Sequence, residues 1–466
     1  MTRTPAHTLM RRAVLSAVSV LVIASCGGGG ESAAPTSVTP TTSANGATTV
    51  PVHGGAVAWT PCGAIECGQM TVPATHNEPA GSTIKVSVYR HVHSVEGDGL
   101  GTLVLIPDWS GWTARELAEK ASIVLGSFTR SFDVVSMSPR GFFDSTPLPC
   151  ASAPVYVENM DDAGVIAQKC TSDAALLATS YGTIEAAHDA ASLVEALGVP
   201  QVKVIGWGRG ATIATAWKLL HPGEISAAVL DSPTDPGISP VRVAVANRVA
   251  SDAAVSAVMR WCTSHISCPF VENAGKRVGF VLEDIRDGKA GDTTEADFRM
   301  SFQKAMDDED NGSLFRALLS AESDDFVPLR VFAALSDPSA ADSFSARVAG
   351  ECSDLAAGDI DTVINDDAEF EFTLFRVGLG MTVPRICQQM PEAPEPLGDV
   401  HAADGAKGAL VQTYVAAGDG SVAPSMVAGL SKRLGWKHRA VPGARHLVVG
   451  IDRTTTRAVA KFLTGS

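Results

Sequence analysis

Segments typical of strands and of helices alternate along most of this chain, and this alternation limits its possible folds more than any other feature. The runs 101–107 and 132–138 are continuously apolar, as expected of central strands that are buried on both faces. Residues 184–197 place Ala, Leu and Val at helical spacing, and the following Gly198 can cap a helix. Repeated strand–helix–strand units predict an α/β fold in which helices flank a mostly parallel central sheet.

The alternation breaks in the middle of the chain. Between about residues 240 and 400 the sequence is acidic and mostly helical in periodicity, and strands and helices alternate again from 409–418 onward. A helical insertion of this kind usually covers the carboxyl edge of the sheet, where open α/β sheets bind ligands. We therefore predict a core in two parts, 53–239 and 401–466, separated by a helical cap over 240–400.

The N-terminal segment is typical of an export signal. Three arginines precede an apolar run, 13–23, which is too short to span a bilayer. The run ends in "IASC", similar to a bacterial lipobox, which would make Cys26 the lipidated first residue of the mature chain. The sequence predicts a lipoprotein signal peptide over 1–25, a disordered tether over 26–52 and an anchor on the outer face of the cytoplasmic membrane. Ordinary secretion is the alternative.

The remaining cysteines also indicate export. Eight of the nine cysteines follow Cys26, and an even number in an exported chain predicts disulfide bonds. Pairing of sequence neighbours would join Cys62 to Cys67, Cys150 to Cys170, Cys262 to Cys268 and Cys352 to Cys387, although many other connectivities are possible. The absence of a C-x-x-C pair argues against a metal site, and no cofactor is expected. The formal net charge of −15 argues against a nucleic-acid partner.

A five-residue turn, "GWGRG" (206–210), lies between a strand-like run and a helix-like run. Serine hydrolases of the α/β type carry G-x-S-x-G at such a turn, with the nucleophile in the middle. The middle residue here is Gly208, which has no side chain to attack a substrate.

Several longer motifs point to one family. The stretch "SPRGFFDSTPLPC" (138–150) is the most specific, and "WTPCGAIECGQMTVP" (59–73), "AAVLDSPTDP" (227–236) and "VPGARHLVVG" (441–450) accompany it. From Trp59 to about Leu463 the chain resembles the tripeptidyl-aminopeptidase-like branch of the α/β-hydrolases. Members are exported serine peptidases with a large helical cap, and the cysteines fall where the family has its local disulfides.

The resemblance implies roles for individual residues. It places Gly208 at the position of the nucleophile and His446 at that of the catalytic base. The family's acid aligns with Gly420, so that Asp419 lies one residue early, and Asp231 is a poorer substitute.

The loop that should hold the oxyanion also departs from the family. The family has a glycine-rich run there, whereas this chain has "PDWSGWTA" (107–114), in which a carboxylate would oppose negative charge. We place the oxyanion loop and former pocket at Asp108, Trp109, Ser110, Trp112, Trp207 and Arg209.

The same turn suggests a ligand. It ends at a helix N-terminus, where backbone N–H groups and the helix dipole favour an anion, and Arg209 adds a positive charge. These features predict a carboxylate or phosphate ligand at the backbone of residues 208–210. The alternative is that Arg209 pairs with Asp108 or another acid.

Three hypotheses for function follow. The first is a membrane-anchored, catalytically inactive pseudo-hydrolase that binds a small molecule or peptide in the former pocket. The second is an active hydrolase of peptides or esters that uses another nucleophile, such as water or Ser110, with His446 as base. The third is a cell-envelope interaction protein that acts through the cap.

Overall fold

The computed structural model describes residues 56–95, 99–109, 111–142, 144–148, 150, 157, 160–172, 179–270, 272–334, 340–356, 358–360, 382–393, 395–443 and 445–465. The predicted signal peptide and tether, Cys26 and Ser110 lie outside the described residues. The lipid anchor and the Ser110 hypothesis therefore stay predictions.

Within the described residues, nine strands form one sheet. They are β1 (Thr60–Pro61), β2 (Glu66–Pro73), β3 (Thr83–His91), β4 (Thr102–Ile106), β5 (Asp133–Met137), β6 (Val202–Trp207), β7 (Ile225–Asp231), β8 (Val411–Ala416) and β9 (Lys437–Val441). Their order across the sheet is β1-β2-β3-β5-β4-β6-β7-β8-β9. The pairs β1–β2, β2–β3 and β3–β5 are antiparallel, whereas all pairs from β5–β4 to β8–β9 are parallel. The sheet is thus mostly parallel, as predicted.

Helices connect and cover these strands. They are α1 (Ala114–Val124), α2 (Met160–Thr171), α3 (Thr183–Leu197), α4 (Gly208–Leu220), α5 (Pro240–Ser264), α6 (Ala274–Arg286), α7 (Glu295–Asp308), α8 (Asn311–Ala321), α9 (Val327–Ala334), α10 (Ala340–Asp354), α11 (Thr382–Cys387), α12 (Pro424–Leu434) and α13 (Arg453–Thr464). A short 3₁₀ helix covers Ser127–Ser131.

Both faces of the sheet are covered, which explains why its central strands are continuously apolar. Helices α3, α4 and α12 contribute to the apolar cluster on one face, and α1 and α13 to the cluster on the other. Strands β4 and β8 are buried at every position. A parallel strand in this setting has no solvent-facing side and therefore no alternation of apolar and polar residues.

The helices from α5 to α11 lie between β7 and β8 in the chain, in the range predicted for the cap. Helices α5 to α9 surround an apolar cluster of their own, whose members include Phe298, Phe302 and Phe315. The exact domain boundaries stay predictions.

The four predicted disulfides are present and join Cys62–Cys67, Cys150–Cys170, Cys262–Cys268 and Cys352–Cys387. In the described part of the chain, no helix is long and apolar enough to cross a membrane. In the same part, no group of His, Cys, Asp or Glu is arranged to hold a metal ion.

Strand β2 and helices α1 and α2 were not identified from the sequence. Strand β2 carries a mixture of buried and partly exposed positions, because it lies near the antiparallel edge of the sheet. It therefore lacks the continuous apolar run that marks the central strands.

Candidate active site

The turn between β6 and α4 has the geometry of a nucleophile elbow. Strand β6 ends at Trp207, and α4 begins at Gly208, whose φ of +46° lies in the left-handed region that favours glycine. At Gly210 a Cβ atom would collide with the backbone carbonyl of Ile106 at the end of β4. The glycines thus allow the turn to approach the neighbouring loop closely.

The carboxylate of Asp108 occupies the space into which a side chain at the elbow would project. A Cβ atom on Gly208 would overlap with Oδ1 and Cγ of Asp108 and lie 3.1 Å from its Cβ. The Oδ1 atom accepts a hydrogen bond of 2.7 Å from the backbone N–H of Arg209. This amide is the first after the elbow position, and in serine hydrolases of this fold it forms part of the oxyanion hole. Asp108 therefore fills both positions with one carboxylate.

His446 and Asp419 form a pair beside this carboxylate. The Nδ1 atom of His446 lies 2.9 Å from Oδ2 of Asp419, which also accepts a hydrogen bond from the Ser232 hydroxyl. The Oδ1 atom of Asp419 accepts from the backbone N–H groups of Ser421 and Val422. The loop after β8 thus holds Asp419 in place, and its one-residue displacement from the family pattern does not separate it from the imidazole.

The other nitrogen of His446, Nε2, lies 3.7 Å from Oδ2 of Asp108. Burial alone would lower the pKa of His446, but the charge of Asp419 and the interactions with both carboxylates raise it well above its usual value. Burial would raise the pKa of Asp108, but His446 and the backbone amides of Arg209 and Trp109 lower it. These directions describe a protonated imidazole between two carboxylates.

Two further carboxylates lie close to the row formed by Asp108, His446 and Asp419. Asp231, at the end of β7, accepts hydrogen bonds of 2.7 Å from the N–H groups of Val448 and Val449, and burial raises its pKa to about 6. It therefore fixes the loop after His446 and does not replace Asp419. From the cap, Asp307 accepts a hydrogen bond from the backbone N–H of His446, and burial raises its pKa to about 6 as well.

The side chain of Arg209 turns away from this row toward the cap. It forms an ion pair with Asp354 at the end of α10 and donates a hydrogen bond to the Thr183 hydroxyl. The ring of Trp109 lies 5.0 Å from its guanidinium carbon and stacks on Phe142. Of the two alternatives from the sequence, the structure has the one in which Arg209 pairs with an acid, and that acid is Asp354.

One of the tryptophans assigned to the former pocket, Trp207, lies in the core instead. Trp207 is 1% exposed, packs in the apolar cluster under α1 and α13, and donates from Nε1 to the carbonyl of Val449. Trp112 packs against it edge to face. The prediction that Trp207 lines the pocket is therefore wrong, because its ring is enclosed in this cluster. Trp112 is only partly buried, and its assignment to the pocket stays a prediction.

Three site residues were missed by the sequence analysis. Asp307 and Asp354 come from the cap, and Ser232 follows β7 with a φ of +55°. Nothing in the acidic cap sequence distinguishes these aspartates from their neighbours, since only the folded contacts bring them to the site.

Comparisons with known proteins show which families and proteins the chain is similar to. The family model described as the alpha/beta hydrolase fold matches residues 101–314. The chain is 25% identical over 259 residues to the serine protease Hip1 of Mycobacterium tuberculosis, a match that covers 49% of each protein. It is 22% identical over 192 residues to tripeptidyl aminopeptidase of Streptomyces lividans, covering 37% of this chain and 36% of that protein.

The aligned segments span about half the length of the curated relatives or less. Among solved structures, the chain resembles Rv0554 of Mycobacterium tuberculosis at 13% identity and a TM-score of 0.39, over 85% of this chain and 98% of that one. The chain thus has the α/β-hydrolase fold, matches that family's model over residues 101–314, and is similar to two peptidases over part of its length.

Proposed function

We propose that this protein is an exported, lipid-anchored pseudo-hydrolase that has lost serine-type peptide hydrolysis and binds a small molecule at the former active site. One observation carries the first part. The carboxylate of Asp108 lies where the serine side chain of an active relative would project.

Serine-type hydrolysis requires a hydroxyl nucleophile, a neutral imidazole and an open oxyanion hole. In this chain Gly208 supplies no hydroxyl, and His446 lies between two carboxylates that favour its protonated form. The amide of Arg209 is already bonded to Asp108. Loss of the serine alone lowers the rate of subtilisin by about 10⁶, so that three simultaneous defects leave no route for this reaction.

The ligand site that we propose adjoins the pair of His446 and Asp108. An anion at the Gly208–Gly210 backbone was expected from the sequence, but Asp108 itself accepts from the Arg209 amide. An external anion would therefore have to displace Asp108, and an uncharged molecule has no such requirement. Since Arg209 pairs with Asp354, its charge is neutralised within the chain.

The lipid anchor is proposed from the sequence around Cys26 and is consistent with the four disulfides. Cells that express a Cys26→Ala variant should release the protein or accumulate its precursor. Unchanged membrane association and processing in that variant would contradict the anchor.

A fluorophosphonate probe tests the loss of serine chemistry. Wild-type protein and the Gly208→Ser variant should both remain unlabelled, the latter because Asp108 still occupies the oxyanion site. The double variant Gly208→Ser/Asp108→Gly removes that obstacle and is the matched control in which labelling should return. Labelling or peptide hydrolysis by the wild-type protein would refute the proposal.

A further inference from the structure

Three histidines that take no part in the candidate active site lie together beside α3. His188 is on α3, His221 directly follows α4, and His76 belongs to the loop between β2 and β3. The centre of the His188 ring lies 5.2 Å from that of His76 and 5.1 Å from that of His221. The fold thus brings three side chains that ordinarily titrate near neutral pH into contact from three separate elements.

The contact between His188 and His221 is a hydrogen bond between two imidazoles. Nδ1 of His188 lies 3.0 Å from Nε2 of His221. A neutral imidazole has one N–H group and one acceptor nitrogen, whereas a protonated imidazole has two N–H groups and no acceptor. Because one of the two facing nitrogens must accept, the bond forms when at most one ring is protonated and is lost when both are.

His76 is held in this cluster by buried charged groups. Its Nε2 atom lies 2.9 Å from Oδ1 of Asp189, and its backbone N–H donates to Glu185. Asp189 also accepts hydrogen bonds from Nε and Nη2 of Arg140, which is 2% exposed. Asp189 therefore binds Arg140 and His76 directly, and these two groups place positive charge, or a site for it, near His188.

His221 is the more accessible member of the hydrogen-bonded pair. Its side chain is 28% exposed, and its Nδ1 atom lies 3.7 Å from Oε1 of Glu224. The other carboxylate oxygen of Glu224 accepts from Nε1 of Trp217, which fixes the carboxylate in place. Burial lowers the pKa of His221, but the charge of Glu224 raises it. The first proton that the pair takes up in mild acid therefore goes to His221.

Other charged groups on the surrounding elements are engaged elsewhere or exposed. Lys218 of α4 donates to two backbone carbonyls of the turn after that helix, and Arg209 pairs with Asp354 at the first turn of α3. The neighbouring segments, one of which crosses the end of α4, carry charged or titratable groups that are exposed: Glu78, Glu195, His401, Asp404 and Lys407. The protonation of the pair therefore depends mainly on His76, Arg140, Asp189 and Glu224.

We propose that His188 and His221 form an acid-sensitive contact between α3 and the end of α4, which is closed while at most one of the two rings is protonated and opens when both are. Opening separates two helices that cover the same face of the sheet. The contact lies outside the candidate active site, so that this inference goes beyond the proposed function and does not depend on it.

The direction of the response follows from the surroundings of His188. Burial, together with the charges of His76 and His221, lowers the pKa of His188 to about 4, whereas an exposed histidine has a pKa of about 6.5. Between these values the open form binds more protons than the closed form, so that acid favours opening. At about pH 5 the two pKa values correspond to a rise of roughly 30-fold in the ratio of open to closed molecules, relative to neutral pH.

Hydrogen exchange measured by mass spectrometry tests the proposal. Wild-type protein is compared at about pH 7.5 and about pH 5, after correction for the pH dependence of the intrinsic exchange rates. Peptides from α3 and from the end of α4 should exchange roughly 10-fold to 30-fold faster in acid, because the contact between them opens. Peptides from the central strand β6 serve as the internal reference and should keep their protection.

Two substitutions remove a titrating group and keep a hydrogen-bonding one. The amide of His188→Asn lies near the position of Nδ1, and that of His221→Gln lies near the position of Nε2. Since an amide both donates and accepts, the contact can form at either pH, and each variant should respond to acid much less than the wild type.

His438→Gln is the matched control. Burial also lowers the pKa of His438, but its Nδ1 atom contacts the Thr413 hydroxyl on β8 and not the cluster beside α3. This variant should respond to acid as the wild type does. Thermal melting at the higher pH confirms that each variant is folded, and one folded variant of the pair is sufficient for the test.

Two results would overturn the proposal. One is wild-type exchange in α3 and at the end of α4 that does not accelerate in acid relative to β6. The other is equal acceleration in the wild type and in a folded variant of His188 or His221, because the pair would then have only a structural role. Fluorophosphonate labelling, which tests the proposed function, affects neither result.

Discussion

The two halves of the candidate site differ in how far they depart from an active hydrolase. The half on β8 and β9 keeps an imidazole–carboxylate pair, whereas the half on β4 and β6 places a carboxylate where an elbow side chain would project. Asp419 also accepts from Ser232 and from two backbone amides, so that the fold itself depends on it. The comparison indicates that Asp419 supports the structure of its own loop as well as the imidazole.

The largest loss of stability should follow from a substitution in the half on β8 and β9. Asp419→Ala leaves a buried imidazolium and several donors without their acceptor, and loss of one partner from a buried pair costs about 3–5 kcal/mol. Chemical denaturation should show a correspondingly large fall in the free energy of unfolding. A smaller loss of unfolding free energy than that caused by Asp108→Ala would contradict this structural role of Asp419.

The next largest loss of stability should follow from a substitution in the half on β4 and β6. A side chain at Gly208 overlaps with Asp108 and takes up a positive φ, so that Gly208→Ser should lower the free energy of unfolding by about 1–3 kcal/mol. In the Asp108→Gly background the same substitution should be less destabilising, because the overlap is gone. Equal losses in both backgrounds, measured as a double-mutant cycle, would show that the two residues do not compete for space.

A third test measures how the stability of the protein depends on the protonation of His446, which lies between the two halves. Because the folded-state pKa of His446 is raised, its contribution to stability is complete below its unfolded pKa of about 6.5 and is lost as the pH rises through the folded value. The melting temperature of the wild type should therefore fall on the alkaline side relative to His446→Gln. Parallel curves for the two proteins would contradict a protonated His446.

The smallest change in stability should follow from a substitution in the cap, at Asp307. The pKa of Asp307 is raised to about 6, so that its proton stabilises the folded state at low pH and this stabilisation declines as the pH rises from about 4 to about 6. Asp307→Asn should reduce the fall in the free energy of unfolding across this pH range by on the order of 1 kcal/mol. Melting curves at pH values across this window measure the change, and an unchanged slope would show that Asp307 ionises normally.

Much of the fold could be predicted because its signals are local. The apolar runs gave β4 and β5 to within one or two residues at each end, and the Gly198 cap marked the end of α3. Neighbouring cysteines pair in the structure as they do in the sequence. The imidazole and its acid could be proposed because the family resemblance assigned these roles to His446 and, with a one-residue displacement, to Asp419.

The filled site could not be predicted, because it depends on contacts between distant segments. Asp108 and the amide that it accepts from are 101 residues apart, and Arg209 and Asp354 are 145 residues apart. From the sequence, Asp108 could be recognised only as a charge in the wrong loop. Its placement over the elbow requires the close backbone approach that Gly210 permits.

The overlap between Asp108 and a side chain at residue 208 also makes the two positions interdependent. In this conformation a serine at residue 208 and an aspartate at residue 108 compete for the same space, so that each raises the energetic cost of the other. A serine can therefore be introduced at the elbow without this steric cost only if residue 108 changes as well.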